Sequence, residues 1–194
     1  MPRKRAKTRR SAIFLDRDGT INKPPKHRYI TRWEEFEFIP GALRALRRLN
    51  ARKQLVIIIS NQSGVARGIL SRTTLEKTTR KMLKSIRQSG GRVHAVYYCT
   101  HHPDNSCACR KPHIGMLKKA ARRFSIDLKR SFVVGDTEAD VLMARSAGCR
   151  KVLVLTGRRT RQTARQLLVP PDRIVKDLEQ AVRWILHQQA KEQP

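Results

Sequence analysis

"AIFLDRDGTIN", residues Ala12 to Asn22, leads from four apolar residues directly into two carboxylates that are one residue apart. Similar apolar runs recur as LVIII, VHAVYYC, SFVV and KVLVL, and segments with helical spacing of apolar residues lie between them. Strands that alternate with helices are typical of an α/β fold, a doubly wound parallel sheet covered on both faces. We therefore predict one domain of this class at residues 12–190.

The apolar spacing also locates individual elements along the chain. A short strand, RIV, is predicted near the end of the chain. Helices are predicted at Gly41–Asn50, Ser71–Ser89, Gly115–Phe124, Ala139–Ala147, Arg161–Leu168 and Leu178–Leu186.

The chain is strongly basic, with 43 Lys and Arg against 15 Asp and Glu and a net charge of +28. Such an excess indicates either attraction to phosphorylated partners or a solvated basic surface. The basic residues 1–11 do not resemble a secretory signal, because only a short apolar strand and no cleavage site follow them. We predict that they form a disordered arm. The apolar runs are far shorter than the roughly 18 residues of a membrane span, so we expect a cytoplasmic protein without a span.

Polar residues follow several of the predicted strands at their carboxyl ends. Asp16 follows the first strand, and SNQSG, CTHH and GDTEAD follow later ones. Ligands of open parallel sheets bind beyond this edge, so we expect these residues to meet there.

The first two acids and a later one suggest phosphate chemistry. One carboxylate can attack phosphorus to form an acyl phosphate, and a second can protonate the departing oxygen. Mg²⁺ prefers oxygen ligands and binds through one or two carboxylates with substrate phosphate, which suits Asp16 with Asp136. An acidic turn or a calcium-type loop is the alternative for DRDGT alone.

These motifs resemble those of the haloacid dehalogenase (HAD) phosphatases. FLDRDGTIN is similar to their first motif, Ser60 to the second, Lys111 in CRKP to the third and GDTEAD to the fourth. The resemblance implies that Asp16 is the nucleophile and that Asp18 is both the general acid–base and a Mg²⁺ ligand through its backbone carbonyl. It also implies catalytic roles for Ser60 and Lys111, a Mg²⁺ ligand in Asp136, and an orienting role for Asp140.

Within that superfamily the chain resembles the branch of heptose bisphosphate and histidinol-phosphate phosphatases, from Ala12 to about Gly157. This implies a small phosphorylated sugar as substrate, with histidinol phosphate as the alternative, and we expect a monomer. The spacing of five residues between His101 and Cys107 is nearer to the histidinol-phosphate enzymes. The predicted substrate-binding residues are Thr20, Asn22, Asn61, Arg67 and Arg110.

A nucleic-acid function, either a polynucleotide 3′-phosphatase or a binding protein, is the second class of hypothesis. The charge of +28 favours it, but the chain has only ten aromatic residues and no evident stacking surface. Nucleic acid is therefore possible but not favoured.

The spacing C-x-H-x5-C-x-C predicts a metal site at Cys99, His101, Cys107 and Cys109. Three thiols and an imidazole are the donor set of a closed structural zinc site. His102 is the rival ligand, and the family resemblance favours His101. We expect Zn²⁺ to brace the loop that presents Arg110 and Lys111. Little sequence remains between the strands for a cap, so we expect a capless enzyme with a small zinc-binding loop.

Overall fold

The computed structural model describes residues 9–157 and 159–192, and these contain six strands in one parallel sheet. The strands are β1 (Ile13–Leu15), β2 (Val56–Asn61), β3 (Ala95–Cys99), β4 (Phe132–Gly135), β5 (Arg150–Val154) and β6 (Arg173–Val175). Their order in the sheet is β3-β2-β1-β4-β5-β6, and every neighbouring pair is parallel. The predicted doubly wound α/β class is confirmed, and β1 lies at its centre.

Six α-helices connect or follow these strands: α1 (Ala42–Ala51), α2 (Arg72–Gln88), α3 (Gly115–Phe124), α4 (Glu138–Ala147), α5 (Arg161–Arg165) and α6 (Leu178–Lys191). All six were predicted, but α5 ends three residues before the predicted end and α6 continues five residues further. A 3₁₀ turn at Trp33–Glu35 was not predicted. Pro170 and Pro171 follow α5 closely, and residues before proline disfavour helical geometry, so the chain has little room to extend this helix.

The sheet is buried on both faces, which explains why its strands are apolar without alternation. Ile13 and Leu15 of β1 pack into the cluster that contains α1 and α6, whereas Phe14 packs into the cluster that contains α3. All three β1 side chains are fully buried. The residues that continue from β1 are therefore fixed by packing on both sides.

Local hydrogen bonds set the ends of several helices. The Ser71 side chain accepts from Thr74 N at 2.9 Å at the start of α2, and the Asp177 side chain accepts from Gln180 N at 2.8 Å at the start of α6. Gly148 ends α4 in the left-handed region, with φ +71°.

The connections around the carboxyl edge of the sheet are loops. Within the described residues, the β1–α1 connection contains only the 3₁₀ turn and isolated bridges, and the β3–α3 connection contains no helix or strand. Neither connection forms a cap domain, which agrees with the capless fold predicted from the sequence. None of the helices in the part of the chain that the structure describes is long and apolar enough to cross a membrane.

The predicted arm falls mostly outside the described residues, which begin at residue 9. Arg10 is hydrogen-bonded to the end of α3, where its N donates to Ser125 O at 3.2 Å and its O accepts from Asp127 N at 3.0 Å. The boundary of the arm at residue 11 stays a prediction.

Candidate active site

A cavity of about 530 Å³ opens at the carboxyl edge of the sheet. It is lined by several side chains that the sequence predicted to act together: Asp16, Asp18, Ser60, Asn61, Arg110, Lys111 and Asp136. Ser63 of SNQSG and Thr137 of GDTEAD, two segments expected at this edge, also line it, as do Tyr29 and Arg159. The strand order explains the convergence, because β1 lies between β2 and β4 and the residues after all three meet at one edge.

Lys111 joins two buried carboxylates. Its Nζ lies 2.8 Å from Asp16 Oδ1 and donates to Asp140 Oδ1 at 2.6 Å. Burial lowers the pKa of Lys111, but the attraction of Asp140 and Asp16 outweighs burial, and the net shift is upward. Lys111 therefore keeps its positive charge beside Asp16.

Asp140 is held from the other side by the first turn of α4. Its Oδ2 accepts from Thr137 N at 3.2 Å and from Thr137 Oγ1 at 2.5 Å, which closes a capping box. A Cβ at Gly135 would collide with the Asp140 carboxylate, so the strand approaches it closely only because Gly135 is glycine. Both oxygens of Asp140 are thus engaged, and its contacts are those of a residue that positions Lys111.

Asp136 lies between two glycines that leave room for its carboxylate. Gly19 has φ +83°, and a Cβ there or at Gly157 would collide with the Asp136 carboxyl group. Asp136 Oδ1 is buried and lacks a hydrogen-bond partner among the described residues. One carboxylate oxygen from each of Asp16, Asp136 and Asp140 lies within 4.8 Å of the others.

The crowding of carboxylates changes their proton affinity. Burial, followed by the negative charges of Asp16 and Asp140, raises the pKa of Asp136 to about 8. Burial also raises the pKa of Asp16 to about 6, although Lys111 opposes the shift. A cation between Asp16 and Asp136 would offset both effects, and a set of hard oxygen donors suits Mg²⁺.

Three side chains hold Asp18, and the sequence analysis missed one of them, Arg17. Arg17, which is 1% exposed, donates to Asp18 Oδ2 at 2.8 Å and lies 5.8 Å from the centre of the Tyr98 ring. Gln62 Nε2 donates to the same oxygen at 2.8 Å, and Asn22 Nδ2 donates to Oδ1 at 2.9 Å. The available signal for Arg17 was its place between the two aspartates, but an arginine in so basic a chain is ordinarily a surface residue.

Asn61, the last residue of β2, fixes the neighbouring loop. Asn61 Oδ1 accepts from Lys111 N at 3.0 Å and Asn61 Nδ2 donates to Lys111 O at 3.2 Å, which ties the β3–α3 connection to the sheet. Ser60 Oγ accepts from Gln62 Nε2 at 3.1 Å. Asn61 thus holds the Lys111 backbone in place.

The predicted substrate-binding residues occupy different positions. Arg110 lines the cavity, and its buried Nη1 has no hydrogen-bond partner in the described part of the chain. Thr20 and Asn22 are fully buried and do not line the cavity, and Arg67 is exposed and does not line it either. The geometry therefore supports Arg110, whereas the substrate-binding roles of the other residues stay predictions.

The four predicted zinc ligands lie together in the β3–α3 connection. Cys99 Sγ lies 3.7 Å from Cys107 Sγ, Cys107 Sγ lies 3.7 Å from Cys109 Sγ, and His101 Nδ1 lies 3.2 Å from Cys109 Sγ. A tetrahedral zinc site with Zn–S bonds of about 2.3 Å has S···S edges of about 3.8 Å. All four cysteines of the chain are free thiols. The rival His102 is not part of this group, and its Nδ1 lies 3.2 Å from Asp104 Oδ2.

Comparisons with known proteins identify the relatives of this chain. A HAD-hydrolase-like family model matches residues 108–181. The D-glycero-β-D-manno-heptose-1,7-bisphosphate 7-phosphatase of Bordetella bronchiseptica is 38% identical over 176 residues, which cover 91% of this chain and 98% of the relative. The enzyme of the same name from Escherichia coli K12 is 38% identical over 184 residues, covering 91% and 88%.

Solved structures show the same similarity at the level of the fold. The crystal structure of the B. bronchiseptica D,D-heptose 1,7-bisphosphate phosphatase, complexed with magnesium and phosphate, has a TM-score of 0.86 at 38% identity and covers 92% of this chain and 99% of its own. The Burkholderia thailandensis enzyme has a TM-score of 0.70 at 30% identity, with coverage of 91% and 99%. This chain is therefore a HAD phosphatase and belongs to the family of the D-glycero-β-D-manno-heptose-1,7-bisphosphate 7-phosphatases.

Proposed function

We propose that this phosphatase removes the 7-phosphate of D-glycero-β-D-manno-heptose 1,7-bisphosphate through a phosphorylated Asp16, with Mg²⁺ as its cofactor. The observation that carries the proposal is that Asp16, Lys111 and Asp140 form a buried, ion-paired group beside an open cavity. The chain that contains this group matches the named relatives over 91% of its length. The relatives favour the heptose bisphosphate over histidinol phosphate and over a polynucleotide end.

The donor set at the carboxyl edge supports magnesium. When bound, Mg²⁺ supplies positive charge that offsets repulsion between the carboxylates and the phosphoryl group. The carboxylates of Asp16 and Asp136 would hold it, together with the backbone carbonyl of Asp18. Asp140 is a poorer ligand, because Lys111 and Thr137 already occupy its oxygens.

In the first half-reaction, a carboxylate oxygen of Asp16 attacks phosphorus, and the bond from phosphorus to the sugar oxygen breaks. Asp18 gives a proton to that sugar oxygen, which leaves as a hydroxyl. Lys111 and Ser60 stabilise the phosphoryl oxygens in this proposal, which their position in the cavity lining supports, and the unpartnered Nη1 of Arg110 can donate to a phosphate.

In the second half-reaction, water attacks the phosphorus of the acyl phosphate and gives its proton to Asp18. The bond between phosphorus and Asp16 breaks, so inorganic phosphate leaves and both carboxyl groups return to their starting states. Arg17, Gln62 and Asn22 hold Asp18 where it can accept that proton.

A structural Zn²⁺ bound by Cys99, His101, Cys107 and Cys109 completes the proposal. The four ligand atoms lie within 4.8 Å of one another, which suits one tetrahedral ion with no open position. Burial would raise the pKa of the Cys107 thiol, but the backbone N–H groups of Arg110 and Cys109 help to lower it to about 7. A cytoplasmic location, which the sequence predicts, would keep these thiols reduced.

The decisive experiment compares kcat/KM for the heptose bisphosphate, histidinol phosphate, fructose bisphosphate and a 3′-phosphorylated oligonucleotide. We expect the heptose bisphosphate to be preferred by orders of magnitude and Mg²⁺ to be required. Asp16→Asn is the control for a contaminating phosphatase. A preference for histidinol phosphate or for the oligonucleotide would reject the proposed substrate. It would not reject Asp16 as the nucleophile, which the activity of Asp16→Asn tests separately.

A further inference from the structure

A second cavity lies at the amino edge of the sheet, far from Asp16. It has a volume of about 500 Å³ and is lined by Arg48, Arg52, Gln54, Arg183, His187 and Gln189. Gln54 precedes β2 and Ser60 lies near its far end, so an extended strand of roughly 20 Å separates this cavity from the active site. The two cavities have no lining residue in common.

Three arginines of this cavity lack a carboxylate partner. Arg48, Arg52 and Arg183 are exposed, and among the described residues none of them forms an ion pair. The nearest acid, Glu179, pairs with Arg44 at 3.0 Å, and Arg183 and Arg48 only add to the field that lowers its pKa. The C-terminal dipole of α1 favours a cation at Arg48, but it does not account for Arg183 in the middle of α6.

The cavity has a polar floor that keeps its shape. Gln189 Nε2 donates to Gln54 Oε1 at 2.9 Å and to Ser11 Oγ at 3.4 Å, which ties α6 to the segments that enter β1 and β2. The buried Gln189 Oε1 has no hydrogen-bond partner in the part of the chain that the structure describes. The arginines therefore surround a fixed, concave and polar surface.

The positive field extends along the same edge of the sheet. His94 precedes β3, and burial followed by the charges of Arg92 and Arg10 lowers its pKa. In sequence, residues 41–103 contain thirteen Lys and Arg and a single acid, Glu76. None of the three arginines that line the amino-edge cavity lines the active-site cavity.

We propose that this amino-edge face, formed by Arg48, Arg52, Arg183 and His187, binds the phosphodiester backbone of a nucleic acid. Guanidinium groups bind phosphate oxygens in a bidentate manner, and several side by side match a chain of phosphates better than one small anion. The cavity lining contains no Phe, Tyr or Trp, so contact is made through phosphates rather than through stacked bases. Binding at this face is independent of catalysis at the other edge.

The test is fluorescence anisotropy with single-stranded and duplex oligonucleotides of about 20 nucleotides over a range of salt concentrations. The triple variant Arg48→Gln/Arg52→Gln/Arg183→Gln is compared with Lys118→Gln/Lys119→Gln/Arg122→Gln. The control triple removes the same number of charges from exposed residues of α3, which packs on the other face of the sheet. Circular dichroism and thermal unfolding verify that both variants fold.

We expect the first triple to weaken binding at least about 10-fold and to lower the salt slope by about 2 to 3, since each lost phosphate contact lowers it by about 0.7 to 0.9. The control triple should change the affinity less than about 3-fold. Both variants should keep the kcat/KM of the parent for the sugar phosphate. Equal losses in the two triples, binding of tripolyphosphate without binding of oligonucleotide, or no binding by the parent protein would each overturn the proposal.

Discussion

At the residue scale, Asp16 and Asp18 lie one residue apart but in different surroundings. Asp16 is buried against Lys111, whereas the side chain of Asp18 is 22% exposed and accepts hydrogen bonds from Arg17, Asn22 and Gln62. Pairs of acids whose environments differ in this way can take separate catalytic roles. The geometry therefore suits Asp16 to attack and Asp18 to move a proton.

The nucleophile is tested by Asp16→Asn. We expect kcat to fall by about 10³-fold or more, because an amide cannot form the acyl phosphate, while the protein stays folded. Asp18→Asn should slow turnover severely but leave some phosphorylation of Asp16. Stopped-flow and steady-state kinetics, with circular dichroism as the control for folding, measure these effects. Near-parental kcat in Asp16→Asn would exclude the proposed mechanism.

The positioning role of the buried Arg17 is tested by Arg17→Met. This change keeps the approximate length of the side chain but removes the guanidinium group that holds the Asp18 carboxylate. We expect kcat to fall about 10- to 100-fold and the free energy of unfolding to fall by about 1–3 kcal/mol, since a partly buried carboxylate loses its partner. Arg130→Met, at an exposed arginine, is the matched control. Kinetics and urea denaturation report both quantities. Parental kcat in the Arg17 variant would mean that Arg17 does not position Asp18.

The sequence could predict which candidate reacting residues lie together but not the residues that hold them. Asp16, Ser60, Lys111 and Asp136 follow strands or lie in short motifs, so their types and spacing identify them. Arg17, in contrast, is functional only through its burial against Asp18 and Tyr98, and such contacts depend on the packed structure.

At the element scale, the β3–α3 connection joins the proposed zinc site to the candidate active site. The connection begins after Cys99, contains the remaining zinc ligands and then presents Arg110 and Lys111. Asn61 hydrogen-bonds the backbone of Lys111 from the end of β2. A loop without helix or strand can therefore place a catalytic lysine because it is fixed at both sites.

The zinc proposal is tested by Cys107→Ser with Cys149→Ser as the control. Cys149 is buried but lies outside the group of four ligand atoms. We expect about one zinc per chain in the parent and in the control, with zinc lost and the Tm lowered in Cys107→Ser, because metal binding is coupled to folding. Elemental analysis of protein prepared without chelator measures the number of zinc ions per chain. Absence of zinc from the parent would reject the assignment.

Elements with strong apolar periodicity were predicted closely, and weaker ones were not. α3 has the predicted bounds, because its apolar residues recur with helical spacing between clear breaks. The turn at Trp33–Glu35 escaped prediction, since three residues carry no periodic signal and tertiary contacts, such as the stacking of Trp33 on Phe36, determine their form.

At the scale of the whole molecule, charge is divided between the two edges of the sheet. Carboxylates crowd the carboxyl edge, where Asp16, Asp136 and Asp140 share one buried group, and unpaired arginines line the cavity at the amino edge. The composition alone revealed the excess of positive charge but not where it lies. Folding places the buried carboxylates of Asp16, Asp136 and Asp140 at the carboxyl edge of the sheet, where a bound cation can neutralise their charge.

This division predicts how stability depends on pH and on magnesium. Burial raises the pKa of Asp16 from 3.8 to about 6 and that of Asp136 from 3.8 to about 8 in the metal-free protein. The folded state then binds more protons than the unfolded state, so this contribution to stability is present in full below pH 3.8 and is lost as the pH rises through 6 and 8. Each extra proton bound by the folded state lowers the free energy of unfolding by about 1.4 kcal/mol per pH unit.

Added Mg²⁺ should reverse this loss, since it binds the ionised carboxylates and binds only the folded protein. We therefore expect the increase in Tm on adding Mg²⁺ to be small near pH 5, below the raised pKa values of about 6 for Asp16 and about 8 for Asp136, and large near pH 8, where Asp16 is ionised and Asp136 is half ionised. Differential scanning calorimetry with and without Mg²⁺, at matched ionic strength and without chelator so that zinc is retained, measures the difference.

In Asp136→Asn, one titrating ligand is absent, and the Mg²⁺-dependent increase in Tm should shrink at every pH. An increase that is the same at both pH values, or that survives in full in Asp136→Asn, would show that the magnesium site does not involve this pair of buried acids.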